Sequence, residues 1–144
     1  MKILVSACLL GENCKYNGGN NYSEETVRFI KGHTVVTVCP EVLGGLSIPR
    51  KPAEMVNGVI RNEDGISIDK EFRAGAKAAL KIALSEGVDL AILQPRSPSC
   101  GGSSIYDGTF SGTLISGEGV FAALLRKNGI QVIEVGALQD FFRE

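Results

Sequence analysis

Asp89-Leu90-Ala91-Ile92-Leu93-Gln94, followed after Pro95-Arg96 by Ser97-Pro98-Ser99-Cys100-Gly101-Gly102, is the stretch on which the fold turns. The first six residues form a short apolar run of the length of a buried strand. The second six hold two hydroxyls, a thiol, a proline and two glycines, and almost nothing that builds a core. Pro98 restricts Ser97 to extended geometry, and Gly101-Gly102 lets the backbone turn tightly or approach a ligand closely. Taken alone, the hexapeptide is equally a strand-ending turn around a buried thiol.

Outward from this point the same alternation recurs. Downstream, a loop rich in glycine and hydroxyls runs through Gly117, with a small hairpin expected at Tyr106-Asp107-Gly108-Thr109. A helix over residues 118–128 follows, then a strand over 131–135 and a short helix over 138–142. Upstream lies the longest helix, residues 70–86. Its apolar residues Phe72, Ala76, Ala79, Leu80, Ala83 and Leu84 are spaced by threes and fours; Asp69 is the expected N-cap and Gly87 ends it. Before it, residues 58–61 and 66–68 are expected to pair as a hairpin across Asn62-Glu63-Asp64-Gly65, after a long irregular loop from Cys39-Pro40-Glu41 through Pro52. Residues 2–7 and the β-branched run Thr34-Val35-Val36-Thr37-Val38 are strands. Between them come a polar loop over 11–21 and a short helix opened by Ser23-Glu24-Glu25 and closed by Gly32.

Strands alternating with helices imply a mainly parallel sheet with right-handed crossovers. The expectation is one α/β domain over residues 1–144: a three-layer, Rossmann-like arrangement of about four strands with small hairpin insertions. At 144 residues, 44% apolar and 22% charged, the chain can bury a real core. A net charge of −1 with no Lys/Arg block gives no support for nucleic-acid or acidic-membrane binding. No apolar run approaches the roughly 18 residues needed to cross a bilayer. The N-terminal apolar run carries one preceding Lys and is cut short by Gly11-Glu12-Asn13, so it is a first strand and not a signal peptide. A cytoplasmic location is expected, where four cysteines are reduced thiols or metal ligands.

The topology gathers the thiols. Cys8, Cys39 and Cys100 each stand at or just past the C-terminal end of a predicted strand. Parallel strands end on one edge, where open α/β sheets bind ligands. Three thiols far apart in sequence are therefore expected at one site, against the alternative of three unrelated buried cysteines. Three thiolates select soft metals, either zinc or an iron–sulfur cluster. Cys14, separated from Cys8 by five residues, lacks the spacing of common zinc or redox motifs; it is a fourth ligand, a reactive thiol near the site, or a loop residue, the second being favoured. The cysteine loops also carry Glu41, Arg50, Ser97, Ser99, Asn17 and Asn20. Glu41, two residues after Cys39, is a candidate acid/base or a helix-start acid. His33, the lone histidine, lies in a turn between helix and strand and is a surface residue. Gly117-Glu118-Gly119, just before a helix, matches no phosphate fingerprint but offers a possible anion site through free N–H groups.

Taken together, three blocks resemble the bacterial family that includes thiouracil desulfurase: Ser6-Ala7-Cys8-Leu9-Leu10-Gly11 with Cys14-Lys15-Tyr16-Asn17-Gly18; Cys39-Pro40-Glu41 with Gly44-Gly45-Leu46 and Pro49-Arg50; and Ser97-Pro98-Ser99-Cys100-Gly101. The resemblance spans essentially the whole chain. It implies a [4Fe-4S] cluster on Cys8, Cys39 and Cys100, with one iron free for the sulfur of a small thiolated base. It further implies proton transfer through Glu41 and a serine of the Ser97/Ser99 pair, in a non-redox replacement of sulfur by water. Asn17 stands where the family pattern suggests Asp, and Gln94-Pro95 where a nearby Lys is expected; both departures bear on substrate rather than cluster. The reading from a different class is a non-catalytic zinc-binding or sulfur-carrier module using the same cysteines.

Overall fold

A computed structural model describes residues 1–138. Strand β1 (Lys2–Ser6) runs into a 3-10 turn over Ala7–Leu10. Helix α1 (Glu24–Ile30) follows a long loop; the Ser23 hydroxyl accepts the Thr26 N–H at 3.2 Å, and two acids occupy its first turn. Then come β2 (Thr34–Val38) and a four-residue helix α2 (Pro40–Leu43). An antiparallel hairpin, β3 (Ala53–Val56) and β4 (Val59–Asn62), precedes the long α3 (Asp69–Glu86). Strand β5 (Leu90–Leu93), a second hairpin of β6 (Ser104–Tyr106) and β7 (Leu114–Ser116), α4 (Val120–Lys127) and β8 (Gln131–Glu134) complete the series.

The four long-range strands form one parallel sheet in the order β2-β1-β5-β8. Chain direction reverses after β2, and this puts helices on both faces. Moving from β1 out to β2 sends α1 to one side; returning over β1 to β5 and on to β8 sends α3 and α4 to the other, as right-handed crossovers require. The side chains follow the two-residue strand period. Ile3, Val5, Leu90 and Ile92 pack with Phe29 of α1, while Leu4, Ala91 and Leu93 pack with Ala76, Ala79 and Ala83 of α3 and Phe121 and Leu125 of α4. The architecture is the expected three-layer α/β sheet with small hairpin insertions.

Four local expectations change. Residues 59–62 pair with 53–56 across Asn57-Gly58, both at positive φ (51° and 81°), which is the two-residue turn that suits a hairpin's twist. The 66–68 segment contributes one isolated bridge, Arg61 to Ser67. Asp69 does not cap α3. Ile68 holds the cap position, and the Asp69 carboxylate accepts the Ile60 N–H at 3.0 Å and pairs with Arg73. The segment after Cys39 is not irregular throughout, since α2 begins at once, with Pro40 in its first turn, where a missing N–H costs nothing. The helix expected over 138–142 lies, beyond Leu138, outside the described residues. Among the described residues no helix is long and apolar enough to cross a membrane.

Candidate active site

Sheet order reverses between β1 and β5, and ligand crevices in such sheets open at the C-terminal strand ends beside that point. A cavity of about 540 Å³ lies there and is lined by all four thiols, Cys8, Cys14, Cys39 and Cys100. Each arrives by a different local device. Cys8 sits in the 3-10 turn leaving β1; its sulfur accepts from the Asn21 side chain at 3.5 Å. Cys39 is the residue before α2, in extended geometry, and its thiol faces the Cys14 carbonyl at 3.9 Å. Cys100 is nearly inaccessible, its N–H donating to the Ser97 hydroxyl at 2.8 Å. Cys14, buried in the loop after the turn, lies within hydrogen-bonding reach of both Cys39 and Cys8. All four are free thiols.

These surroundings split the thiols electrostatically. Hydrogen bonding from Cys14 outweighs burial and lowers Cys8 and Cys39 to about 7 each. Cys14, as the shared donor to Cys39 and Cys8, is pushed up. Burial pushes the Cys100 thiol up to about 12.

Two glycine contacts set where Cys39 and Cys100 can lie. A Cβ on Gly75 of α3 would sit 1.8 Å from the Pro40 carbonyl oxygen, and one on Gly44 would sit 2.0 Å from that of Glu71. Helices α2 and α3 thus touch backbone to backbone, immediately beside Cys39 and Glu41. A Cβ on Gly119 would lie 2.5 Å from the Ser99 carbonyl. The start of α4 is therefore pressed against the Cys100 loop, and its free N–H groups are spent there: Gly119 donates to Gly101 O, Val120 to Pro98 O and Phe121 to Ser99 O, at 2.7–2.9 Å. This overturns the anion site expected at residues 117–119. The N–H groups that would bind an anion hold the cysteine loop instead.

Glu41 lies in the first turn of α2 and lines the cavity. Its Oε1 accepts from Arg50 Nε at 3.2 Å, and its Oε2 from the Ser99 hydroxyl at 2.9 Å. The ion pair is largely shielded, with 8% of the Arg50 side chain and 18% of Glu41 exposed. Arg50 also donates to the carbonyls of Cys14 (2.9 Å) and Ser47 (3.2 Å), and its own N–H reaches Tyr16 O at 2.7 Å. One side chain therefore ties the acid to the Cys14 loop. Ser99, with no exposed surface, has a single proton, and Glu41 takes it. The 3.2 Å contact between Ser97 and Ser99 must then have Ser97 as donor. The resulting chain runs from Ser97, which lines the cavity, through Ser99 behind it to Glu41.

Every candidate site residue is thus gathered at one place: seven side chains, from Cys8, Cys14, Cys39, Glu41, Ser97, Ser99 and Cys100. Asn17 and Asn20 serve the loop itself, Asn17 accepting the Gly19 N–H and Asn20 bonding Asn13. His33 contacts the N-terminal amine and stacks on Phe29, away from the cavity. Sequence reasoning missed Asn21, the paired glycines and the tie made by Arg50. The Gly44-Gly45 doublet was visible, but its partner Gly75 was hidden in a regular helical pattern.

The chain is similar to known proteins over nearly its whole length. A solved structure of a [4Fe-4S]-dependent thiouracil desulfidase, TudS, superposes with a TM-score of 0.90 at 41% identity, covering 96% of this chain and 93% of that one. An uncharacterised protein of Bacillus subtilis (strain 168), YbbK, is 40% identical over 148 residues, which is 96% of this chain and 98% of its own length. The model of the 2-thiouracil desulfurase family matches residues 3–135. The chain belongs to the 2-thiouracil desulfurase family.

Proposed function

We propose that this chain is a desulfidase acting on a small thiolated base such as thiouracil. Thiouracil and water would give uracil and hydrogen sulfide, with no net oxidation or reduction. The observation that carries the reading is the shared cavity, where soft donors from three strand ends lie beside an ion-paired carboxylate with its serine relay.

Cys8, Cys39 and Cys100 are the residues that would hold a [4Fe-4S] cluster, and as thiols free of disulfide bonds they fit it. Bound there, the cluster would supply a Lewis-acidic iron without a protein ligand, to which thiocarbonyl sulfur is suited.

The protein's own residues account for the proton traffic. Attack on the ring carbon needs a proton removed from water, and Glu41 is the acceptor facing the cavity. Arg50 holds one carboxylate oxygen, so the other is directed along the Ser99–Ser97 chain. Ser97 is the hydroxyl placed to touch the reacting atoms, and Ser99 positions it. Cys14 serves as hydrogen-bond partner of the ligand sulfurs, and the cavity's volume is that of a small-molecule site.

The test is anaerobic purification with iron and sulfide analysis, followed by turnover of thiouracil read through loss of its thiocarbonyl absorbance and release of sulfide. A brown protein with about four irons and four sulfides per chain that makes uracil is the expected result. A colourless zinc protein inert toward thiouracil would overturn the reading in favour of the non-catalytic module.

A further inference from the structure

The desulfidase reading leaves open what grips the ring while its sulfur reacts. We propose that Phe110 is the platform for the planar face of the base, and that Glu54 is the positioning residue that fixes it; this rests on the function proposed above for the same cavity. Both residues come from the hairpin insertions rather than the parallel sheet, and both line the cavity.

Phe110 sits in the loop joining β6 to β7 with φ at +55°. A bulky non-glycine residue rarely adopts that backbone, and it persists only where neighbours enforce it. The enforcing neighbour is Glu54 of β3. Its Oε1 accepts the Gly108 N–H at 3.0 Å and the Phe110 N–H at 3.1 Å, with only 7% of the residue exposed. A buried carboxylate needs such donors, so the two hairpins are locked to each other at this point. Gly108 completes the lock: a Cβ there would lie 2.6 Å from the Met55 carbonyl, so the loop rests directly on β3. The loop is further braced by the Asp107 carboxylate, which accepts the N–H and hydroxyl of Thr109.

These bonds leave the Phe110 side chain 36% exposed at the cavity wall. Holding a large apolar ring in a strained backbone and partly in water has no packing benefit to explain it. A planar heterocycle entering the cavity would cover that ring face, as nucleobases stack on aromatic side chains. Of the other aromatic linings, Phe72 is 1% exposed within the core, Tyr16 has the Lys15 ammonium 5.8 Å from its ring centroid, and Tyr106 is half-buried within strand β6.

Uracil, which has the ring but no sulfur to bind iron, is the probe that isolates this contact. Its dissociation constant is measured on the cluster-loaded protein alongside kcat and KM for thiouracil and the iron content. Phe110→Ala should weaken uracil binding about 5- to 100-fold, in line with loss of one stacking contact, and should raise KM for thiouracil far more than it lowers kcat, with iron at the parental level. Phe110→Tyr should restore binding and Phe110→Leu should not, since an apolar side chain of similar bulk supplies packing but no ring face. Glu54→Ala, which removes the acceptor of both N–H groups, should weaken uracil binding in the parent and have no further effect in the Phe110→Ala background, because it acts through Phe110. Parental uracil affinity in Phe110→Ala, or full rescue by Leu, would overturn the proposal. A parent that binds uracil but leaves thiouracil intact would overturn the desulfidase reading instead, and the uracil series would still decide the role of Phe110.

Discussion

The floor of the cavity and its rim are built on opposite plans. The floor is the C-terminal edge of the parallel sheet, where β1, β2 and β5 deliver Cys8, Cys39 and Cys100. It is fixed by backbone packing: Gly75 against Pro40, Gly119 against Ser99, and three helix N–H groups spent on the Cys100 loop. The rim is made of two hairpins that lie outside the sheet, joined by the Glu54 carboxylate and by the close approach of Gly108 to the Met55 carbonyl. Backbone contacts give the floor no room to shift. A side-chain tie lets the rim change its residues without disturbing the thiols. A cofactor whose ligands are tightly fixed needs the first arrangement, and recognition of a particular ring needs only the second.

The comparison is broken most severely at the thiols. Replacing Cys8, Cys39 or Cys100 by Ala should abolish cluster assembly, read as iron and sulfide falling to near background. Cys14→Ala should retain close to the parental iron, since its role is to donate to Cys39 and Cys8. Equal iron loss in all four variants would make Cys14 a ligand and close the coordination position on which the chemistry depends.

Next in size is Glu41, which belongs to the floor but works in the reaction. Glu41→Gln keeps the shape and removes the proton acceptor. Turnover should fall by about a hundred-fold or more with iron content unchanged, the size expected for general acid–base catalysis. Parental turnover would transfer the proton to Ser97 or Cys14.

Gly75→Ala tests whether the floor is truly rigid. The added methyl would meet the Pro40 carbonyl at 1.8 Å, so α2 must move and take Cys39 and Glu41 with it. A loss of about 1–3 kcal/mol of stability is expected, the range for overpacking, together with reduced iron retention. At Gly112, in the rim loop, φ is +79° but nothing lies within 4 Å. Gly112→Ala should cost only the left-handed backbone penalty of about 1–2 kcal/mol and leave iron untouched. Equal iron loss at both positions would erase the distinction between floor and rim.

What the sequence made legible follows the same division. Short apolar strands ending in Cys8, Cys39 and Cys100 are local patterns, and parallel topology converts them to proximity without knowledge of any side-chain contact. Glu41 was visible because it stands two positions after Cys39. The rim was misread because pairing is not local. Val59-Ile60-Arg61 has two neighbours that alternate well enough to be its partner, and the true one, Ala53-Glu54-Met55-Val56, carries a charge in a buried position. Glu54 there is satisfied by N–H groups more than fifty residues away, which no periodicity records. The tie from Arg50 to Cys14 and Glu41 is hidden for the same reason.

The smallest expected effect comes from the turn that sets the rim's register. Asn57 and Gly58 both take positive φ, and the turn they form aligns Val56 with Val59, Met55 with Ile60 and Glu54 with Arg61. Alternation along β3 then puts Glu54 on the side of the loop that holds Phe110. Asn tolerates the left-handed region better than other residues with a side chain. Asn57→Ala should therefore destabilise the hairpin by about 1 kcal/mol, a fall of roughly 3–4 °C in Tm for a chain of this size. Iron content should stay parental, because the ends of β1, β2 and β5, and not β3 or β4, carry Cys8, Cys39 and Cys100. Uracil binding should weaken by less than in Glu54→Ala, since the carboxylate is still present and only the frequency with which the hairpin opens has changed. Should Asn57→Ala lose iron while keeping uracil affinity, the dependence would run the wrong way, and the rim would have to be counted as part of the support for the thiols.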